Sequence, residues 1–100
     1  MTPEQTASLK TFAAEKKPSS KSKKYLAASY WLKENGLDNP ITADKIFTFF
    51  KTAGWFIGFN DWAQPFHNLV HSDHLRKLDG PGEFAITPLG EDAVTKGTDD

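Results

Sequence analysis

Ile46, Phe49, Phe50 and Ala53 recur at i, i+3, i+4 and i+7, an apolar stripe one helix face wide. Its borders are marked. Thr42 stands where an N-cap belongs, Asp44 falls in the first turn where the helix dipole favours a carboxylate, and Gly54 follows as a stop. A second stripe comes soon after: Trp62, Phe66, Leu69 and Val70 at i, i+4, i+7 and i+8 predict a helix over about 60–71. Asp61 with Gln64 forms a capping box, and Pro65 at the end of the first turn is tolerated with a small kink. A further helix is expected over about 22–35, where Leu26 and Tyr30, then Ala28 and Leu32, share a face and Gly36 ends the run. Between the first two of these helices in chain order, Asp38-Asn39-Pro40 reads as a turn, and Ile41 is expected to pair briefly as a short strand.

Beyond residue 71 the period of 3.6 gives way to alternation. "HLRKL" and "EFAIT" read as two short strands joined by the turn cluster Asp79-Gly80-Pro81-Gly82, with Phe84 and Ile86 on one side and Ala85 and Thr87 on the other. Thr87-Pro88 then restarts a helix in N-cap, N1 order, with Leu89, Ala93 and Val94 available to close over the core. At the other end, residues 1–23 are poor in large apolar groups. A short helix over Pro3–Lys17 carrying Leu9 and Phe12, broken by Pro18-Ser19-Ser20, makes this stretch a partly disordered arm. The expected division is an arm over 1–23, a folded domain over 24–96 and a polar tail over 97–100.

Charge changes this picture. The near-neutral total conceals six lysines against two glutamates over residues 1–24, and six basic against eleven acidic side chains over 25–100. The chain reads as a basic arm on an acidic body, the lysines serving either to hold a polyanion or only to keep a tail solvated. With no cysteine there is no disulfide, thiol chemistry or Cys-type zinc site. No apolar run approaches the roughly 18–20 residues of a membrane span, and no apolar leader opens the chain, so a cytoplasmic location without membrane contact is expected.

The order helix, short strand, helix, helix, strand, tight turn, strand, helix resembles the winged helix-turn-helix superfamily. Thr42–Gly54 followed by Asn60–His71, the hairpin "HLRKLDGPGEFAITPLG" and the closing "AITPLGEDAV" carry the resemblance, over about residues 24–96. It implies an α+β fold with a three-helix core, a short β-hairpin wing and a C-terminal helix. It also implies double-stranded DNA as the partner and a role as a small transcriptional regulator, with the third helix in the major groove and the wing on phosphates or the minor groove. Carried over, the readers of base edges are Asn60, Gln64, His67, Asn68 and His71, since Asn and Gln pair bidentately with adenine. Arg76 and Lys77 at the base of the wing, and Lys16, Lys17, Lys21, Lys23 and Lys24 of the arm, would meet phosphate. The sequence departs from the pattern in having no Lys or Arg between Asn60 and Asp73, and in placing Asp79 and Glu83 at the wing turn. The alternative is the same scaffold used to bind a protein or a second copy through Trp55, Phe56 and Phe59.

Other chemistry is poorly supported. His67 and His71 at i, i+4 could share a metal, but no third ligand falls in helical register and His74 lies beyond the helix end, so no metal or cofactor is expected. No nucleophile–base pair, phosphate-binding Gly loop or paired carboxylates suggest an enzyme. The aromatic joint "GWFIGFNDW" is expected mainly to fold inward and staple its two flanking helices together.

Overall fold

The computed structural model describes residues 2–16, 21–55 and 63–96. Its elements are α1 (Pro3–Lys16), α2 (Lys21–Glu34), α3 (Ala43–Ala53), α4 (Ala63–His71), β1 (Leu75–Lys77), β2 (Phe84–Ile86) and α5 (Pro88–Thr95). The architecture is α+β and mostly helical, with a two-stranded antiparallel sheet. Leu75 pairs with Ile86, Arg76 with Ala85 and Lys77 with Phe84. Ile41 adds an isolated antiparallel bridge to Phe84, with N–H···O bonds of 2.9 Å in both directions. A lone apolar residue after a turn thus pairs as its position predicted. No helix among the described residues is long and apolar enough to cross a membrane.

Local signals set the helix ends. Thr42 is in extended conformation and its side chain accepts from Lys45 N–H at 3.4 Å. Gly36, Gly54 and Asp73 all have positive φ, and each terminates the helix before it. At Gly36 and Asp73 the reverse bonds are Leu37 N–H to Leu32 O (2.8 Å) and His74 N–H to Leu69 O (2.9 Å), which satisfy carbonyls the helix leaves open. Asp73 is tolerated there because a short polar side chain suffers least in the left-handed region. Thr87 caps α5 by accepting from Gly90 N–H at 3.1 Å, with Pro88 at N1.

Helix α2 is the hub. It packs against α4, α5, α3, β2 and α1, and Tyr25, Leu26, Ala27, Ala28, Ser29, Trp31 and Leu32 are all buried. The sequence stripe anticipated only part of this. With neighbours on several sides, a helix buries more than one face, and its alanines let those neighbours approach. Ser29 is accommodated because its hydroxyl donates to Tyr25 O at 2.8 Å. Aromatic rings bind the layers together. Tyr25 meets Phe50 edge-on at 5.4 Å and Phe66 at 4.9 Å, and Phe66 stacks on Phe84 at 4.4 Å. Trp31 meets Phe49 edge-on at 5.6 Å.

The N-terminal stretch differs from a solvated arm. Helix α1 forms over almost the span expected, but it lies against α3 and α2. Leu9 is fully buried and Ala13 nearly so, while Phe12 packs on Tyr30 at 6.1 Å and on Phe49 at 6.3 Å. Four residues apart, Leu9 and Ala13 make a stripe too narrow to stand out in a polar sequence, yet wide enough to seal the core.

Candidate nucleic-acid interface

Helix α4 presents two faces. Pro65, Phe66 and Leu69 are buried, with Phe66 held between Tyr25 and Phe84. The outward face carries Gln64, His67, Asn68 and His71, all exposed, and no residue of the helix is acidic. Gln64 Nε2 donates to Asn68 Oδ1 at 2.9 Å, one turn along, so the two amides are held side by side. Four of the residues named from sequence as readers therefore share one surface. The fifth, Asn60, lies outside the described residues, as do Asp61 and Trp62 at the expected helix start.

Beside α4, β1 exposes both Arg76 and Lys77, its buried member being Leu75. The acidic pair Asp79 and Glu83 belongs to the turn beyond them, where Leu78 N–H donates to Glu83 O at 2.9 Å and Glu83 N–H to Gly80 O at 3.2 Å. The base of the hairpin is thus basic and its tip acidic. The junction between α4 and β1 is clamped. The Thr87 hydroxyl reaches the carbonyls of Asp73 and His74, and Thr87 N–H donates to His74 O at 3.1 Å. His74 Nδ1 lies 2.7 Å from Ser72 Oγ, apart from the His67 and His71 face. Among the described residues no group of three His, Asp or Glu side chains is placed to hold a metal ion.

The lysines divide. Lys21, Lys23 and Lys24 occupy the first turns of α2, in helix rather than in a loose tail. Because Tyr25 meets the Phe66 ring, this end of α2 abuts α4. Lys16 belongs elsewhere: its ammonium donates to Val94 O at 3.3 Å at the end of α5 and lies 6.0 Å from the Phe12 ring. Lys17 is outside the described residues. Lys45 donates to Pro40 O at 2.6 Å, and Lys33 pairs with Glu91 at 3.0 Å.

The alternative contact surface around the aromatic joint is only partly described. Trp55 is half-buried against Phe49 (5.2 Å) and Phe50 (5.8 Å), while Phe56 and Phe59 lie outside the described residues. Sequence reasoning missed the anchoring of α1 and the Thr87 clamp. The clamp had a signal, since Thr87-Pro88 was legible as a cap, but its second role depends on a segment fourteen residues away. Comparison with protein-family models, with curated proteins and with solved structures gives no match.

Proposed function

We propose that this chain binds double-stranded DNA on a winged-helix scaffold, as a small transcriptional regulator, with α4 entering the major groove. The observation that carries the reading is the outward face of α4: two amides and two imidazoles on one exposed surface, without a carboxylate, bordered by basic side chains of two other elements. The order α2, Ile41 bridge, α3, α4, β1, β2 supports the same reading, because it is the order of a helix-turn-helix followed by a wing. Within it, Gln64, His67, Asn68 and His71 specify, since they reach base edges without fixed charge. Lys21, Lys23, Lys24, Arg76 and Lys77 hold, by neutralising phosphate. Lys16, engaged at α5, is left out of this set. The acidic hairpin tip limits wing contact to its base.

Fluorescence anisotropy with a randomised duplex pool at low salt tests the reading. Binding should weaken steeply with salt. Replacing Lys21, Lys23 and Lys24 together by Gln should flatten the slope of log affinity against log salt by about 0.9 for each phosphate no longer neutralised. Asn68→Ala should leave that slope intact and relax preference at one base position by roughly 1–3 kcal/mol. Absence of duplex binding at low salt overturns the proposal.

A further inference from the structure

On the far side of α2 from α4, an open groove of about 410 Å³ runs between α1 and α2. Its lining includes Phe12 and Glu15 from α1, Tyr30, Trp31 and Glu34 from α2, and Asn35 directly after α2. Helical geometry accounts for the separation: Tyr30 and Glu34 follow Tyr25, which faces α4, by five and nine residues, or roughly 140° and 180° around the axis. Three features distinguish this groove. Phe12 and Tyr30 stack at 6.1 Å with an interplanar angle of 22°, giving an aromatic wall. Glu15 and Glu34 are exposed carboxylates, and neither has an ion pair or hydrogen bond from its side chain among the described residues. The neighbouring lysines hydrogen-bond elsewhere: Lys16 reaches Val94 O and Lys33 reaches Glu91, both on α5. Trp31 lines the same groove, and its buried indole N–H has no hydrogen-bond acceptor among the described residues. Burial, and then the Glu34 and Glu91 carboxylates, push the Tyr30 phenol above its ordinary pKa, with Lys33 opposing.

We propose that this groove docks a segment of a partner protein through an arginine side chain. Charge complementarity selects the occupant. A guanidinium stacks on aromatic faces and pairs with carboxylates in one planar group, whereas a neutral or acidic side chain would leave Glu15 and Glu34 uncompensated. The site is independent of the DNA reading, since none of its lining residues belongs to α4 or β1.

The test is a titration of the isotope-labelled full chain, followed by amide chemical shifts, with the blocked peptide Ala-Ala-Arg-Ala-Ala. The same peptide with citrulline in place of arginine, equal in shape and lacking the charge, serves as control. The arginine peptide should shift the amides of Phe12, Glu15, Tyr30 and Glu34, and the citrulline peptide should not. Glu15→Gln with Glu34→Gln should weaken binding by about tenfold or more, a loss of ~1.4 kcal/mol. Both positions are exposed, so the fold should survive, and Phe12→Leu should also weaken binding while keeping apolar volume in place. Equal shifts with the two peptides, shifts confined to the acidic hairpin tip around Asp79 and Glu83, or no shifts at millimolar peptide each overturn the proposal. Duplex binding should be the same in the double Gln variant as in the parent; a parallel loss of both would show that the groove has no separate role.

Discussion

Helix α2 separates two surfaces of opposite chemistry. Towards its N-terminus, the end that meets α4 through Tyr25 and Phe66, it carries Lys21, Lys23 and Lys24, and the exposed face of α4 is amide and imidazole. Towards its C-terminus, Glu34 joins Glu15 of α1 along an aromatic groove, and the nearby cations are drawn off to α5. A formal charge of −1 describes neither. The difference teaches that charge is to be read by surface. A split of the sequence at residue 24 puts Glu15 in the basic half and the groove's other carboxylate in the acidic half, although the fold brings them together. It also implies that the two surfaces stand or fall with the packing that joins them to α2, and each joint can be broken separately.

The largest effect is expected at Phe66, which is fully buried and ties α4 to both α2 and β2. Phe66→Ala should destabilise the protein by about 3–5 kcal/mol, a large share of the stability of so small a domain. A melting temperature equal to the parent's would mean that α4 is not anchored as described. Leu9 is the corresponding anchor of the groove side. With its side chain fully buried, Leu9→Ala should cost about 2–5 kcal/mol, measured by denaturant unfolding. A change of only a few tenths would return α1 to the status of a solvated arm and remove one wall of the groove.

These two residues also show what was legible from sequence. Phe66 belongs to a stripe of four apolar residues with turn and cap residues around it, so its burial followed from periodicity alone. Leu9 sits among Ser, Thr and Lys, and no stripe announces it. Its burial depends on α3 and α2 lying opposite, which local sequence does not encode. The hairpin, the Ile41 bridge and the Thr42, Gly36, Gly54 and Thr87 helix ends were all readable, because turn chemistry and capping are local. Most of the exposed α4 face was readable for the same reason. The groove was not: its carboxylates are nineteen residues apart and on different helices, and only packing makes them neighbours.

Gly90 tests how tightly the α4–β1 junction is held to α5. A Cβ at this position would overlap the His74 carbonyl oxygen and press on Ile86, and that same carbonyl accepts from Thr87. Within a helix, Gly→Ala ordinarily stabilises by roughly 1 kcal/mol. Here the close approach should reverse the sign, giving a net loss of about 1–3 kcal/mol from overpacking. Thermal unfolding of Gly90→Ala measures it. A gain in stability would show that α5 has room to move away, and that the orientation of Arg76 and Lys77 beside α4 is correspondingly loose.

The smallest effect concerns the acidic side and appears only in alkali. Lys33 has its pKa raised, first by its hydrogen bond to Glu91 and further by the Glu91, Glu34 and Asp38 carboxylates, against its own desolvation. Tyr30 is raised by burial and then by Glu34 and Glu91, with Lys33 opposing. For both groups the folded pKa lies above the unfolded one, so the folded chain holds the proton more tightly. The associated stability is complete below the unfolded values, near pH 10, and is lost as pH rises through the folded values. Glu91→Gln removes the partner of Lys33 and one carboxylate facing Tyr30. It should therefore be less stable than the parent at neutral pH, and its alkaline decline should be shallower, so that the two curves converge above about pH 10. Because the pair is open to solvent, the gap will be small and will narrow with added salt. Denaturant unfolding from neutral to alkaline pH reads it directly. Parallel curves would mean that the Lys33–Glu91 pair contributes nothing in solution, which would leave Lys33 free to offset the charge of the groove.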